Sequence, residues 1–163
     1  MAELVEGFTQ VKNNRYKLGL VLASLILLTL GNFAGCRNSR SDAGRDECQL
    51  RLKKLSAIAK EYARYHKGAF PDLTSPAVFG TEFKRVLADT DIFTCPESKQ
   101  VFQGNASLSE VDVKSIKDPA GTILFYEEDT HDSNGRNVAY VDGRGKWLTE
   151  ENWQEQKKYS GIQ

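Results

Sequence analysis

The chain has 163 residues, with 22 basic and 22 acidic side chains, so its formal net charge at pH 7 is zero. A chain without excess positive charge has no long-range field that would attract nucleic acid, and we expect no nucleic-acid partner. Its length suits one globular domain with an appendage. We predict an N-terminal tail at residues 1–17, a membrane segment or export signal at 18–35, a linker at 36–47 and a globular domain at 48–163.

The membrane segment, Leu18–Gly35, reads LGLVLASLILLTLGNFAG and contains no charged residue. As a helix it would cover roughly 27 Å, which is enough for a thin hydrocarbon core. We therefore predict a single membrane-spanning anchor, and the short N-terminal tail favours an exported C-terminal domain. Two alternatives stay open: an export signal that ends at the lipobox-like FAGC and leaves a lipid on Cys36, or a buried core helix.

The globular domain is predicted to begin with an amphipathic helix from about Cys48 to His66. Within this segment apolar residues recur at steps of three and four, and charged residues occupy the other faces. Gly68 is placed as the C-terminal cap, and Pro71 cannot continue the helix. Because acidic residues alternate with the basic ones, the charged surface is interpreted as a solvated face.

The middle of the chain is less regular. Thr81 is predicted to begin a short helix, and the segment FTCPES at residues 93–98 is predicted to be an extended piece that covers one end of a sheet.

From Thr122 the pattern changes to the alternation typical of strands, interrupted at Asn134-Gly135 and Asp142-Gly143. Dipeptides of this type supply positive φ at tight turns. The sequence therefore predicts an α+β domain, in which a three-stranded antiparallel meander at about 122–148 packs on the amphipathic helix. A last short helix is predicted to follow Thr149 as its cap.

Within the meander, strand alternation predicts which residues share a face. Val138 and Tyr140 are expected on one face of the sheet, and Ala139 and Val141 on the other. Trp147 is expected to pack back toward the amphipathic helix.

Together, these pieces resemble the globular part of bacterial type IV pilin-like proteins, specifically pseudopilins of type II secretion. The likeness covers Cys48 to about Thr149 and is carried by the cysteine-led helix, the FTCPES element, the segment DPAGTILFYEE, and His131 followed by NVAYVDGRGKWLT. It implies a membrane-anchored structural or assembly component of a bacterial secretion or pilus-like system. It also implies a location in the cell envelope, with sister pilin-like subunits or the secretion machinery as partners.

The N-terminus departs from this family. A prepilin has a Gly-Phe-Thr processing site that leads directly into an apolar helix with glutamate at the fifth mature position. This chain reads GFTQVKNNRYK from Gly7 to Lys17, and Lys12 stands at that position. Since that glutamate is the contact by which subunits enter a filament, filament assembly stays open. The alternative is an independent envelope lipoprotein or binding module.

The cysteines suit an exported domain. Cys48 and Cys95 fall in elements that meet if the helix packs against the middle segment, and an oxidising compartment permits a disulfide between them. Two buried thiols are the alternative.

We expect no catalytic activity, although Cys95, His131 and Asp142 can be written as a Cys-His-Asp arrangement. A nucleophilic cysteine needs a setting that stabilises its thiolate, and FTCPES contains no such group. His131 is instead interpreted as a hydrogen-bonding residue that fixes the long turn against the Asp142 hairpin.

A calcium site is the remaining cofactor hypothesis. The segment EEDTHDSNG places Asp129, Asp132 and Asn134 in one turn, and hard oxygen ligands in a flexible loop suit calcium. The resemblance adds support, because some pseudopilins bind calcium in a loop between strands. The same residues are also the ordinary chemistry of turns, so both interpretations stay open.

Overall fold

The computed structural model describes residues 39–84, 91–131 and 134–163. Its helices and strands, in chain order, are α1 (Ser39–Tyr65), α2 (Pro76–Lys84), β1 (Gln103–Gly104), β2 (Ile123–Tyr126), β3 (Gly135–Tyr140), β4 (Gly145–Thr149) and α3 (Glu150–Tyr159). The strands form one antiparallel sheet in the order β1-β2-β3-β4. The α+β class is thus confirmed, and the sheet has a fourth strand, β1, that was not predicted.

Helix α1 already includes residues 39–47, so the predicted start at Cys48 is wrong, and this part of the predicted linker is helical. These turns lack apolar periodicity but have tertiary contacts. Gly44 packs against the Glu97 side chain, and the Arg45 carbonyl accepts a hydrogen bond from Asn137 Nδ2 at 3.2 Å. Packing of this kind, rather than local propensity, accounts for most helical stability in proteins.

The C-terminal end of α1 is close to the prediction, since the helix ends at Tyr65. Gly68 has a positive φ of 90°, and its N–H donates to the Ala63 carbonyl at 2.8 Å. It therefore caps the last turn of the helix as expected.

Two apolar clusters lie on the two faces of the sheet. The α1-face cluster joins α1 and α2 to the sheet, and it includes Leu52, Leu55, Ala59, Phe79, Phe83, Phe93, Leu124, Phe125, Ala139 and Val141. The α3-face cluster consists of Ile123, Val138, Tyr140, Leu148 and Trp153, with Tyr126 and Ile162 packed against it. The predicted alternation along β3 is confirmed, because Val138 and Tyr140 belong to one cluster while Ala139 and Val141 belong to the other.

The middle segment differs from the prediction in two respects. Helix α2 begins at Pro76 rather than at Thr81, and proline suits the first helical position because its missing N–H needs no partner there. The FTCPES segment is a closed loop rather than an extended piece, since Thr94 pairs with Val101 and the Cys95 N–H donates to the Gln100 carbonyl at 2.9 Å.

The two tryptophans have different environments. Trp147 faces α1, as expected, where the Arg45 guanidinium lies 5.0 Å from the centre of its ring. It is only half-buried, however, and belongs to neither apolar cluster. The tryptophan buried in a cluster is Trp153 on α3, a helix that begins with Thr149 as its predicted cap.

Within the described ranges, none of the helices has both the length and the apolar composition needed to cross a bilayer. The predicted segment Leu18–Gly35 and the predicted lipidation site Cys36 lie outside the described residues.

Candidate functional site

Four side chains with metal-ligating or nucleophilic chemistry meet beside the N-terminal end of β3. They are Cys48 from α1, Cys95 from the closed loop, Glu127 directly after β2, and His131 from the turn before β3, and their donor atoms lie within 4.8 Å of one another. We call these four residues the Cys-Glu-His cluster. Glu127 and His131 are four residues apart in the sequence, whereas Cys48 and Cys95 come from distant parts of the chain and join them only through the fold.

Cys48 and Cys95 form a disulfide in this structure, with an S–S distance of 1.97 Å and a Cα–Cα distance of 4.9 Å. Both residues are fully buried. The bond joins positions separated by 47 residues, and closing a loop of this size contributes roughly 3 to 4 kcal/mol in the chain-entropy model. In this state the cysteines offer no thiolate.

Glu127 supplies a carboxylate in the interior, with only 2% of its side chain exposed. Its Oε2 accepts a hydrogen bond from the Asn137 backbone N–H at 2.7 Å and lies 2.9 Å from His131 Nε2. A buried carboxylate without such partners would be strongly destabilising. These contacts therefore fix the position of Glu127 at the end of β2.

The His131 ring lies between two carboxylates and the disulfide. Its Nδ1 is 3.2 Å from Glu97 Oε2, and its Nε2 is 2.9 Å from Glu127 Oε2 and 4.0 Å from Cys95 Sγ. A ring with both nitrogens protonated donates to both carboxylates, whereas a neutral ring donates to only one. The Trp147 ring packs beside the imidazole in a tilted arrangement, with the ring centres 5.6 Å apart.

The side-chain contacts of His131 are not with the predicted partner, the Asp142 hairpin. Its contacts are Glu97 and Glu127, whereas Asp142 follows the far end of the six-residue strand β3. The Asp142 carboxylate accepts hydrogen bonds from the backbone N–H and Nε of Arg144, at 2.9 and 2.5 Å. Loss of solvation acts to raise the pKa of Asp142, but Arg144 and the nearby Lys60 lower it below its ordinary value.

The structure therefore brings together two members of the Cys-His-Asp arrangement and leaves the third elsewhere. Cys95 and His131 are in contact, although no pattern in the sequence predicted it. Asp142 belongs to the turn between β3 and β4, where Lys60 Nζ also donates to its carbonyl at 2.9 Å.

Two of the three predicted calcium ligands are described. Asp129 is exposed, and its carboxylate accepts a hydrogen bond from Gln100 Nε2. Asn134 has a φ of 56°, and its N–H donates to the His131 carbonyl at 2.9 Å. Both residues thus have contacts of the kind found in turns. Asp132 lies outside the described residues, and the calcium site stays a prediction.

Glu97 and Glu127 were not predicted as site residues. Glu127 stands among acidic neighbours in YEEDT, a composition that normally indicates a solvated turn. Its position at the end of a strand and four residues before a histidine was the available signal. Glu97 follows Cys95-Pro96, and only the tertiary structure relates it to His131.

Comparisons with protein-family models, with curated proteins and with solved structures find no match to this chain. What the site does must therefore follow from the chemistry of the Cys-Glu-His cluster and from the elements that it joins.

Proposed function

We propose that the protein is a pseudopilin-like structural or assembly component of a bacterial envelope secretion or pilus-like system. In this proposal it is anchored in the membrane through Leu18–Gly35, and its C-terminal domain is exported. One observation carries the proposal: Cys48, Cys95, His131 and Trp147, which come from three motifs of the resemblance, contact one another in succession. A set of motif residues that contact one another is suited to a scaffold.

The attachment of α1 to the sheet supports an anchoring role. The disulfide fixes α1 covalently to the closed loop, and the buried Ser56 Oγ donates to the Tyr140 carbonyl on β3 at 2.8 Å. A third contact joins the Arg45 carbonyl to Asn137. A helix that leads from a membrane segment and carries an exported domain benefits from this fixed attachment, because a load on the helix then reaches the sheet directly.

The chemistry of the cluster also favours a structural role over catalysis. Cys95 is bonded to Cys48 and offers no thiolate, and His131 contacts a carboxylate at each ring nitrogen. A nucleophile and a free general base are the groups that acyl-transfer chemistry would require. The proposal therefore includes no enzymatic activity.

Mass spectrometry of the native N-terminus tests the route to the membrane. We expect either an intact Met1, as for a retained membrane span, or cleavage after Gly7, as for a processed prepilin. A lipid on Cys36 would contradict the proposed membrane span and favour the independent lipoprotein.

Photo-crosslinking in cells tests assembly. Leu50 on α1 is 43% exposed and Tyr159 on α3 is 60% exposed, so both accept a photoreactive phenylalanine analogue without disturbing a core. We expect adducts with further copies of the chain or with envelope proteins from position 50, and none from position 159, which serves as the matched control. An absence of adducts at both positions would contradict an assembly role.

A further inference from the structure

We propose that the Cys-Glu-His cluster is a redox-gated site for a zinc-like divalent cation. When the disulfide is reduced, Cys48, Cys95, Glu127 and His131 bind one ion, and oxidation of the cysteines releases it. This inference goes beyond the proposed function and does not depend on it.

The donor set matches the preferences of zinc. Zinc binds thiolate, imidazole and carboxylate in a tetrahedron, with distances of about 2.3 Å to sulfur and about 2.0 to 2.2 Å to nitrogen and oxygen. Neighbouring donors in such a tetrahedron are about 3.3 to 3.8 Å apart. The donors here lie within 4.8 Å of one another, and His131 Nε2 is 4.0 Å from Cys95 Sγ. Breaking the disulfide allows the two sulfurs to separate to the required distance.

The surroundings of His131 are those of a metal ligand. A ligating histidine almost always donates its other ring N–H to a carboxylate, a carbonyl or water. Here Nε2 faces the sulfurs and Glu127, while Nδ1 lies 3.2 Å from the Glu97 carboxylate. The Trp147 ring packs beside the imidazole, with the ring centres 5.6 Å apart. The ring is thus already oriented for binding through Nε2.

The position of Glu127 is also fixed by a residue outside the ligand set. The Asn137 N–H donates to Glu127 Oε2 at 2.7 Å. This hydrogen bond does not involve His131, so in the proposed site it stays in place when an ion replaces the proton on His131 Nε2. Hydrogen bonds of this kind hold ligating carboxylates in place. A bound ion would also join α1 to the sheet, as the disulfide joins α1 to the closed loop.

The redox step balances with a dithiol as the reductant. Two electrons and two protons pass from the dithiol to Cys48 and Cys95, and the dithiol becomes a disulfide. Binding of the ion then displaces the two thiol protons. In the reverse direction a disulfide oxidant takes two electrons from the thiolates, the Cys48–Cys95 bond forms again, and the ion leaves with its charge unchanged.

Cobalt titration of the full-length chain in detergent tests the proposal, with Cys36→Ser in every sample so that only the cluster contributes thiols. The chain is reduced with a phosphine and titrated with Co²⁺ without oxygen. We expect one Co²⁺ per chain, with a thiolate-to-cobalt charge-transfer band, the ligand-field bands of tetrahedral cobalt, and displacement by Zn²⁺. The oxidised chain should show none of these bands. Identical spectra for the two redox states would overturn the proposal.

The second histidine provides a matched control. His66 lies on the surface after α1, with Nδ1 2.8 Å from the Tyr62 carbonyl. We expect His131→Gln to weaken Co²⁺ binding by at least about tenfold, and His66→Gln to leave it unchanged. Equal binding by the two variants would show that the cluster is not the site.

Glu97→Gln keeps the test decisive if His131→Gln does not fold. Glu97 is not a ligand, so the tetrahedral spectrum should remain, while the affinity falls by about 10- to 100-fold because the orienting carboxylate is lost. Near-ultraviolet circular dichroism of the oxidised form verifies that each variant is folded. Unchanged affinity in a folded Glu97→Gln chain would contradict the proposed orientation of His131.

Discussion

The two faces of the sheet are stabilised in different ways. On the α1 face, aromatic rings interlock: Phe125 lies 5.4 Å from Phe79 and 6.3 Å from Phe83, measured between ring centres, and the disulfide is on the same side. On the α3 face the largest ring is that of Trp153, which packs 5.0 Å from the Tyr126 ring and lies under the Arg136 guanidinium at 4.5 Å. The α1 face is therefore the larger core and contains several rings in mutual contact, whereas the α3 face is a smaller core whose largest side chain comes from the short helix α3.

Removal of a central ring from the α1 face should have the largest effect. Phe125 is fully buried, and we expect Phe125→Ala to lower the free energy of unfolding by about 3 to 5 kcal/mol. Urea denaturation of the oxidised chain measures the loss, and the exposed Val101→Ala provides a control that should change it by less than about 0.5 kcal/mol. A loss below about 1 kcal/mol for Phe125→Ala would show that the ring cluster is not the main core.

The two tryptophans test the α3 face. We expect Trp153→Ala to lower the free energy of unfolding by about 3 kcal/mol, because α3 loses its anchor to the sheet. Trp147→Ala should lower it by only about 1 to 2 kcal/mol, since this ring is half-buried and outside both clusters. Hydrogen exchange sharpens the comparison, because the backbone amides of Leu124 and Phe125 should stay protected in Trp153→Ala. The reverse order of losses would contradict the assignment of Trp153 as the anchor.

A smaller loss of stability is expected where the residues after α3 join the sheet. The fully buried Asn105 donates from Nδ2 to the carbonyls of Ile123 at 2.8 Å and Ser160 at 2.9 Å. We expect Asn105→Ala to lower the free energy of unfolding by about 2 kcal/mol, because both carbonyls lose a buried donor. Ser107→Ala is the matched control with fewer buried contacts. If thermal melting ranks the two variants equally, the amide does not hold the α3 end in place.

The smallest expected change in the free energy of unfolding is one that depends on pH. Arg136 Nη2 donates to Glu150 Oε2 at 2.7 Å, and this hydrogen bond, with a second one from Gln154, lowers the pKa of Glu150 below its ordinary value of 4.5. A carboxyl whose folded pKa is depressed contributes stability above its unfolded pKa, and that contribution is lost as the pH falls through the folded pKa. Because the Glu150 side chain is 32% exposed, we expect only a few tenths of a kcal/mol.

The free energy of unfolding, measured from pH 6 down to about pH 3, checks this small contribution of Glu150. The wild type should lose slightly more stability over this range than Glu150→Gln, and Glu151→Gln should follow the wild type. A wild type and a Glu150→Gln variant with parallel pH profiles would show that the ion pair contributes nothing to the α3 face.

Regular local signals explain what could be predicted from the sequence. The alternation from Val138 to Val141 correctly predicted which residues share a face of the sheet, and Thr149 was correctly predicted as the cap of α3. Both signals depend on only a few neighbouring residues. Strand β1 was missed because it has only two residues, Gln103 and Gly104, and depends on pairing with β2. Hydrophobicity alone does not distinguish Trp147, which is half-buried, from Trp153, which is buried in a cluster.

The site was harder to predict because most of its contacts join residues that are far apart in the sequence. Cys95 meets His131 only after β2 and β3 have paired and the closed loop has packed beside them. Glu127 has the composition of an exposed turn residue, and its burial follows from contact with Asn137. The local signal of such groups is weak, since their chemistry depends largely on neighbours that are remote in sequence.

The order of the strands has a consequence for how the chain folds. Each strand pairs with its neighbour in sequence, so the sheet can form through short loop closures, which are fast. The contacts between α1 and β3 join residues 84 and 92 positions apart, at Ser56–Tyr140 and Arg45–Asn137. We therefore expect docking of α1 to be the late, rate-limiting event of refolding, visible in pulse-labelled hydrogen exchange as protection of β2 to β4 before α1. Until that event, the α1 side of the meander is exposed and prone to association with other chains.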